Sequence, residues 1–375
     1  MKSIIGSFTA LLFSFSGMPA ANAADTTRTV QTEAGRMSVQ TVASGLDHPW
    51  GMTFLPDGRL LVTERSGRLR ILAKDGKLSG AVPGTPNVFS QGQGGLLDVA
   101  LDPDFATNRL VYLSFSEPGE GGASTALGVG RFENDRIDGF KVIFRQQPKV
   151  SGGNHFGGRI AFAPSGQLFL TMGERFKFDP AQDLSVHLGK IVRLNRDGSV
   201  PEDNPFVKRK DAKPEIWTYG HRNVQGIAIQ PRTGTVFASE FGPLGGDELN
   251  IIEPGKNYGW PLVSWGKHYD GRAIPNPSTR PDLTDAIRHW TPVISPSGIT
   301  FYTGELFPKW RGSLLIGGLS STGVVRLEID GRKVTHEERM QLAERIRDVE
   351  QAPDGSVYLL TDESNGQVLR LTPAK

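Results

Sequence analysis

A single histidine, His155, stands between two glycine pairs in Ser151-Gly152-Gly153-Asn154-His155-Phe156-Gly157-Gly158-Arg159, just ahead of the strand-like run 160–162. An imidazole titrates near neutrality and can act as a general base. The flanking glycines admit positive φ and let a ligand approach the chain closely. The same pattern also suits a tight turn whose histidine does no chemistry. Four other polar stretches stand out. Gln93 lies in a glycine-rich loop, Gly92-Gln93-Gly94-Gly95. Arg222 and Asn223 are adjacent in Trp217-Thr218-Tyr219-Gly220-His221-Arg222-Asn223, a fixed cation beside an amide. Such a pair could clamp an anionic or quinoid ligand, or simply bind a structural carboxylate. Residues 240–250 and 257–261 combine acidic side chains, a Gly242-Pro243 pair and amides, a hard-oxygen set that suits calcium, although the spacing is not that of an EF-hand. Arg345 and Arg347 fall on one face of an extended segment, where they could hold carboxylates or lie solvated.

These stretches need a scaffold, and the chain carries a repeated one. Pro56-Asp57-Gly58 precedes an apolar, β-branched run, then a second turn and a second run. Related turns recur at 107–109, 164–166, 232–234, 310–312 and 353–355, several with a further short run just before them. Six units of three or four short strands at this period predict an all-β, six-bladed β-propeller. A β-sandwich of irregular hairpins would not produce six near-equivalent units. Uneven spacing between the turns predicts long inserted loops, chiefly 118–155 and 241–298, gathered on a binding face. No helix longer than about two turns is expected. Residues 336–342 have helical composition but read better as a loop or strand connection.

Composition narrows the chemistry. The 375 residues include no cysteine, so disulfides and thiolate metal sites are excluded, and any metal must be held by oxygen or imidazole. The 46 glycines and 25 prolines suit a turn-rich β fold. Forty-two basic and 40 acidic residues leave a net charge of +2, which gives no general pull toward nucleic acid or an anionic membrane. Residues 1–23 read as a secretory signal: Lys2, an apolar stretch over 4–15, and Ala21-Asn22-Ala23 before Ala24. The apolar stretch is too short to span a bilayer. Export to the periplasm follows as an expectation, with 24–375 as one catalytic domain.

Six motifs in order, GQGGLLDVALDPDF (92–105), GGNHFGGR (152–159), YGHRNVQG (219–226), EFGPLGGDELN (240–250), NYGWP (257–261) and RIRDV (345–349), give the chain a resemblance to the soluble pyrroloquinoline-quinone (PQQ)-dependent sugar dehydrogenases, the bacterial aldose sugar dehydrogenases above all. The resemblance implies a six-bladed propeller that oxidises the anomeric carbon of an aldose to a lactone and passes electrons to an external acceptor. It implies His155 as general base and Arg222 as the residue facing charge on the quinone. Gln93, Asn223 and Tyr269 become further cofactor contacts, and Arg345 and Arg347 partners of its carboxylates. Gly242 and Pro243 resemble carbonyl donors to a calcium ion, and Glu248 and Tyr258 positions associated with a second one. A monomer is expected. Two positions depart from the family pattern. Ser320 stands where a lysine often contacts a cofactor carboxylate, and Asn154 where some members have aspartate. A calcium-dependent lactonase on the same fold, or a propeller that only binds glycans or proteins, would share parts of this pattern.

Overall fold

The shared turns carry the geometry that the repeats require. Gly58, Gly166, Gly234, Gly312 and Gly355 all have φ between 71° and 96°, left-handed values that a side chain would strain. Each turn joins the first and second strands of one sheet. In the computed structural model, which describes residues 26–374, six antiparallel sheets result. Blade 1 comprises Pro49–Phe54, Leu60–Glu64 and Leu69–Leu72. Blade 2 comprises Leu96–Leu101, Leu110–Gly119, Gly122–Glu133 and Arg136–Arg145. Blade 3 holds Gly157–Phe162, Leu168–Met172, Lys190–Leu194 and Ile216–Tyr219, and blade 4 holds Val224–Ile229, Val236–Glu240, Asp247–Ile252 and Arg288–Trp290. Pro296–Phe301, Leu314–Gly318, Gly323–Asp330 and Lys333–Gln341 make blade 5. Blade 6 takes Ile346–Gln351, Val357–Thr361 and Gly366–Pro373 from the end of the chain, and Gly35–Leu46 and Thr27–Thr32 from its start. Pairing of Gly35–Leu46 with Gly366–Pro373 closes the ring.

Burial follows the same circle. Six apolar clusters form the core, and each lies between neighbouring blades: Leu61 with Leu113, Leu127 with Leu170, Ile191 with Val236, Leu249 with Ile316, Leu315 with Leu359, and Leu360 with Val62. No blade can bury its faces alone, so the ring folds as a unit. The first strands line the axis and touch one another in a closed series. Every one of them carries a register shift near its start. Such bulges turn backbone groups and side chains toward the axis, where the site is built.

Arg159 occupies that axis. Its Nη1 lies 2.9 Å from Asp348 Oδ1 and 3.2 Å from Asp98 Oδ1. Nε donates to the Gln225 carbonyl at 2.9 Å, and Nη2 to those of Arg347 at 2.8 Å and Trp50 at 3.2 Å. The guanidinium also sits 4.1 Å from the Trp50 ring centroid. One buried side chain of blade 3 therefore holds blades 1, 2, 4 and 6. Beyond it, toward the other face, an axial cavity of about 510 Å³ is lined by all six first strands.

Three expectations change. The stretch 241–298 is not wholly an insertion, because it contains the third and fourth strands of blade 4, Asp247–Ile252 and Arg288–Trp290. Most of 118–155 is not an inserted loop but the hairpin Gly122–Glu133 with Arg136–Arg145, which completes blade 2; only the following stretch up to His155 is free of strand. Gly122–Glu133 is mostly buried but built largely from Gly, Ala, Ser and Thr, and Arg136–Arg145 is charged and largely exposed or part-buried, so neither carries the apolar signature of a core strand. Residues 336–341 belong to a strand, Lys333–Gln341. The export signal read at 1–23 lies outside the described residues, among which no helix is long and apolar enough to cross a membrane.

Replacing Arg159 with methionine leaves Asp98 and Asp348 buried without their cation, a loss of about 3–5 kcal/mol. Urea denaturation of the purified variant is expected to show a loss of that size; a change below about 1 kcal/mol would remove Arg159 from its role as axial tie.

Candidate active site

The site forms where the first strands begin, from the loops before them and the turns after the second strands. His155 lies in the loop before blade 3, buried to 4% exposure. Its Nδ1 is 2.5 Å from Glu174 Oε1, just past the second strand of the same blade. The carboxylate accepts a hydrogen bond from Nδ1–H and leaves Nε2, which carries no hydrogen bond, with the free lone pair. Burial lowers the imidazole below its ordinary value; Glu174 opposes that, and Arg222 and Arg175 add to it. The ring is thus neutral at pH 7, the form that can accept a proton.

The loop is held by specific bonds. The His155 N–H donates to Gln93 Oε1 at 2.9 Å, and Gly157 N–H to Asn223 Oδ1 at 3.2 Å. Arg175 staples the far side by donating to the carbonyls of Asn154, Gly152, Ala123 and Val150, its guanidinium 3.7 Å from the Phe156 ring centroid. Four non-glycine residues here adopt left-handed backbone: His155 (φ 53°), Arg175 (62°), Phe176 (60°) and Phe178 (65°). Each costs of order 1–3 kcal/mol, and such strain persists only where the surroundings impose it. Two of the glycines serve a different purpose from the one expected. A Cβ on Gly157 would meet the Met172 backbone at 2.8 Å, and one on Gly92 the Gly153 carbonyl at 2.5 Å. At these two positions glycine lets backbone pack on backbone, whereas nothing lies within 4 Å of a Cβ built on Gly152.

Asn223 Nδ2 reaches Gln93 Oε1 at 3.4 Å, Gln225 Nε2 donates to Asn223 Oδ1 at 3.1 Å, and Arg347 Nη1 donates to Gln225 Oε1 at 3.1 Å. A continuous polar chain therefore runs from His155 to Arg347. At the Arg347 end, Nη2 lies 2.7 Å from Asp362 Oδ2, and Arg345 Nη2 lies 3.2 Å from the same atom. The two arginines meet despite the bulge between them. Ser320 is exposed and hydrogen-bonds Val293 O and Ser295 Oγ. Asn154 directs no side-chain bond at His155; only its carbonyl is used, by Arg175.

At the other end, Arg222 Nη1 donates to the Gly242 carbonyl at 2.7 Å and Nη2 to the Tyr269 hydroxyl at 3.1 Å, while Nε is buried without a partner. Phe176, Phe178, Trp260, His268 and Tyr269 wall a cavity of about 220 Å³ beside it, and Tyr269 is 62% exposed. Pro243 completes that wall. Behind Arg222 lies a smaller space of about 10 Å³, lined by Glu240, Gly242, Pro243, Glu248 and Tyr258, which is room for a single ion or water. Burial and the neighbouring Glu240 charge push Glu248 well above the usual carboxylate range. The Tyr258 hydroxyl donates to Ile251 O and accepts from Glu253 N–H; only its backbone carbonyl is left to face a cation. Among the described residues no three His, Asp or Glu side chains converge as a metal-binding group, so a cation here relies on carbonyls as well.

The profile of the glucose / sorbosone dehydrogenase family matches residues 46–370. The chain belongs to that family. It is 45% identical over 345 residues to the aldose sugar dehydrogenase YliI of Escherichia coli, covering 90% of this chain and 93% of that one. Among solved structures it resembles a glucose dehydrogenase (50% identity, TM-score 0.87, 90% and 99% of the two chains). It also resembles the PQQ-bound aldose sugar dehydrogenase of Streptomyces coelicolor (31% identity, TM-score 0.74, 91% and 99%).

In this family member the sequence motifs marked His155, Gln93, Arg222, Asn223, Tyr269, Arg345 and Arg347, and the fold brings all seven to one face. Glu174, Arg175, Gln225 and Asp362 escaped notice. Glu174 had one available signal: it follows His155 by 19 residues, as Glu240 follows His221, and both pairs are hydrogen-bonded.

In ring-selective NMR of the protein alone, His155 is expected to titrate below 6.5. Glu174→Gln removes the carboxylate that raises it, so the transition moves to still lower pH. An upward or absent shift would dismiss Glu174 as the partner of the imidazole.

Proposed function

We propose that the protein is a PQQ-dependent aldose dehydrogenase that oxidises the anomeric carbon of a sugar to the lactone. The observation that carries this reading is the neutral, Glu174-oriented His155 facing the same cleft as Arg222 and the Arg345–Arg347 end. The donor set fits the quinone cofactor: unpartnered buried nitrogens on Arg222 and Arg347 await anionic oxygens, and a flat aromatic wall stands beside them. When bound, the quinone supplies the hydride acceptor.

The chain's own residues account for the remainder. As the anomeric C–H leaves with its electron pair, the hydroxyl proton passes to His155 Nε2 and the C=O of the lactone forms. Glu174 stabilises the resulting imidazolium through Nδ1, as a buried carboxylate does for a catalytic histidine. Gln93 and Asn223 hold the loop so that Nε2 keeps its direction. Arg222 offers a fixed positive charge where negative charge grows on a carbonyl oxygen. Phe176, Phe178 and Tyr269 offer apolar faces to a sugar ring. Calcium fits the space between Glu248, the Tyr258 carbonyl and the Gly242–Pro243 turn, where a dication would return the raised Glu248 to its ionised form. Gly242 O already accepts from Arg222, so an ion held at that turn would share this carbonyl with the guanidinium through its second lone pair. The signal-like residues 1–23 support a periplasmic site of action, with electrons leaving to an external acceptor.

The purified protein is expected to be inactive alone, to gain aldose oxidation with an acceptor dye once PQQ and calcium are added, and to remain inactive with nicotinamide cofactors. His155→Ala should lower turnover by roughly 10²–10⁴-fold with quinone binding retained. Near-normal turnover in that variant, or lactone hydrolysis without any quinone, would overturn the assignment.

A further inference from the structure

Arg65 stands directly after the second strand of blade 1, the same place that Asp362 holds in blade 6. Ser320 lies two residues beyond the corresponding strand of blade 5, so Arg65 and Ser320 flank the Arg345–Arg347 segment from its two neighbouring blades. Arg65 Nη1 donates to the Gly92 carbonyl at 2.8 Å, next to the residue whose amide fixes the His155 backbone. Its Nε is buried with no partner. Arg347 shows the same deficit: Nη1 and Nη2 are used, Nε is buried and free. Asp362 Oδ1 is likewise buried and unpaired.

The charges around this corner do not balance. Arg65, Arg345 and Arg347 share one carboxylate, Asp362, which Arg347 foremost, then Arg65 and Arg345, hold at about 2 against its burial. Burial lowers Arg347, and the charges of Arg159 and Arg65 lower it further. Asp98 and Asp348 are taken by Arg159 on the axis. With Arg345 half exposed, the costly arrangement is that of Arg65 and Arg347, whose buried Nε atoms lack partners. It becomes favourable when a ligand brings carboxylates of its own.

We propose that Arg65 is a cofactor-binding residue, the third cation of a pocket for a planar polycarboxylate, and that it supplies the charge Ser320 does not. This rests on the PQQ reading above. Arg65 approaches from the flank opposite Ser320, on the blade that neighbours Arg347 from the other side.

The test is equilibrium binding of PQQ, and of its trimethyl ester, to the protein freed of cofactor, followed by tryptophan fluorescence. Arg65→Gln is expected to weaken PQQ binding by 10-fold or more and to flatten its salt dependence, while ester binding changes less than twofold. Arg65→Lys should recover most of the affinity, and adding Ser320→Lys to Arg65→Gln should recover part of it. PQQ binding within twofold of wild type in Arg65→Gln would overturn the inference. An equal loss for PQQ and ester would do the same, because it would mean that Arg65 acts only by anchoring Gly92. Failure of the unaltered protein to bind PQQ would instead overturn the cofactor reading, and this inference with it.

Discussion

The contacts of Arg159 on the propeller axis tie five of the six blades together, and they also form the floor of the site. Two of its acceptors, the carbonyls of Gln225 and Arg347, belong to residues whose side chains line the cleft. A third, Asp348, accepts from the Met52 N–H and so fixes the start of blade 1. Arg159 itself is four residues from His155, in the same loop-to-strand transition. A propeller blade touches only its neighbours, so residues from opposite blades keep a fixed spacing only through something at the centre. Here that is the Arg159 guanidinium, satisfied by carbonyls and carboxylates from four other blades, together with the Gln93–Asn223–Gln225–Arg347 hydrogen-bond chain above it. The distance between the base at His155 and the cations at Arg345 and Arg347 is therefore set by these central contacts.

Above that floor, the protein stores unfavourable terms where the ligand is to bind. Four left-handed residues cluster around the imidazole, and buried guanidinium nitrogens stay unpaired at Arg65, Arg222 and Arg347. Glu248 is buried against Glu240 with a single amide donor. Each feature is destabilising alone, and each has a natural complement: anionic oxygens for the arginines, a dication for the carboxylates. The ring of six apolar clusters supplies the stability that tolerates them. A site of this kind gains ligand affinity because ligand contacts relieve a pre-existing deficit, with little reorganisation of side chains already locked in place.

Sequence reasoning reached the ring and much of the site, for a physical reason. Turns that need a left-handed residue and strands that need apolar β-branched faces both leave local traces, so six units at 58, 108, 166, 234, 312 and 355 were legible. Residues such as Arg222 and Asn223 were legible because they interrupt that rhythm at a strand entrance. What stayed hidden was pairing across a blade. Glu174 meets His155 only once the second strand folds back on the first, and Gln225 meets Arg347 only across the axis. Gly157 and Gly158 misled for a related reason. Their composition reports that something lies close, but not whether it is a ligand or, as here, the backbone of Met172 and side chain of Leu97.

In the segment between the second and third strands of blade 3, Glu174 accepts from the Lys177 and Phe178 N–H groups, while the two buried cations are held by carbonyls and not by acids. Arg175 at its start donates to four carbonyls, and Lys190 at its end donates to those of Pro180, Ala181 and Leu188. Both side chains are buried, and burial pulls Arg175 down to about 10 and Lys190 to about 7. Carboxylates would have been stronger partners for either cation. They would also have placed acid beside a cleft whose work depends on positive charge, and would have raised the imidazole that must stay neutral. Carbonyl dipoles hold the loop while adding no net charge, so Glu174 remains the one acid that His155 feels strongly. The aromatic wall at Phe176 and Phe178 is carried on this same segment, which ties that wall to the same bonds that hold the loop of the proposed base.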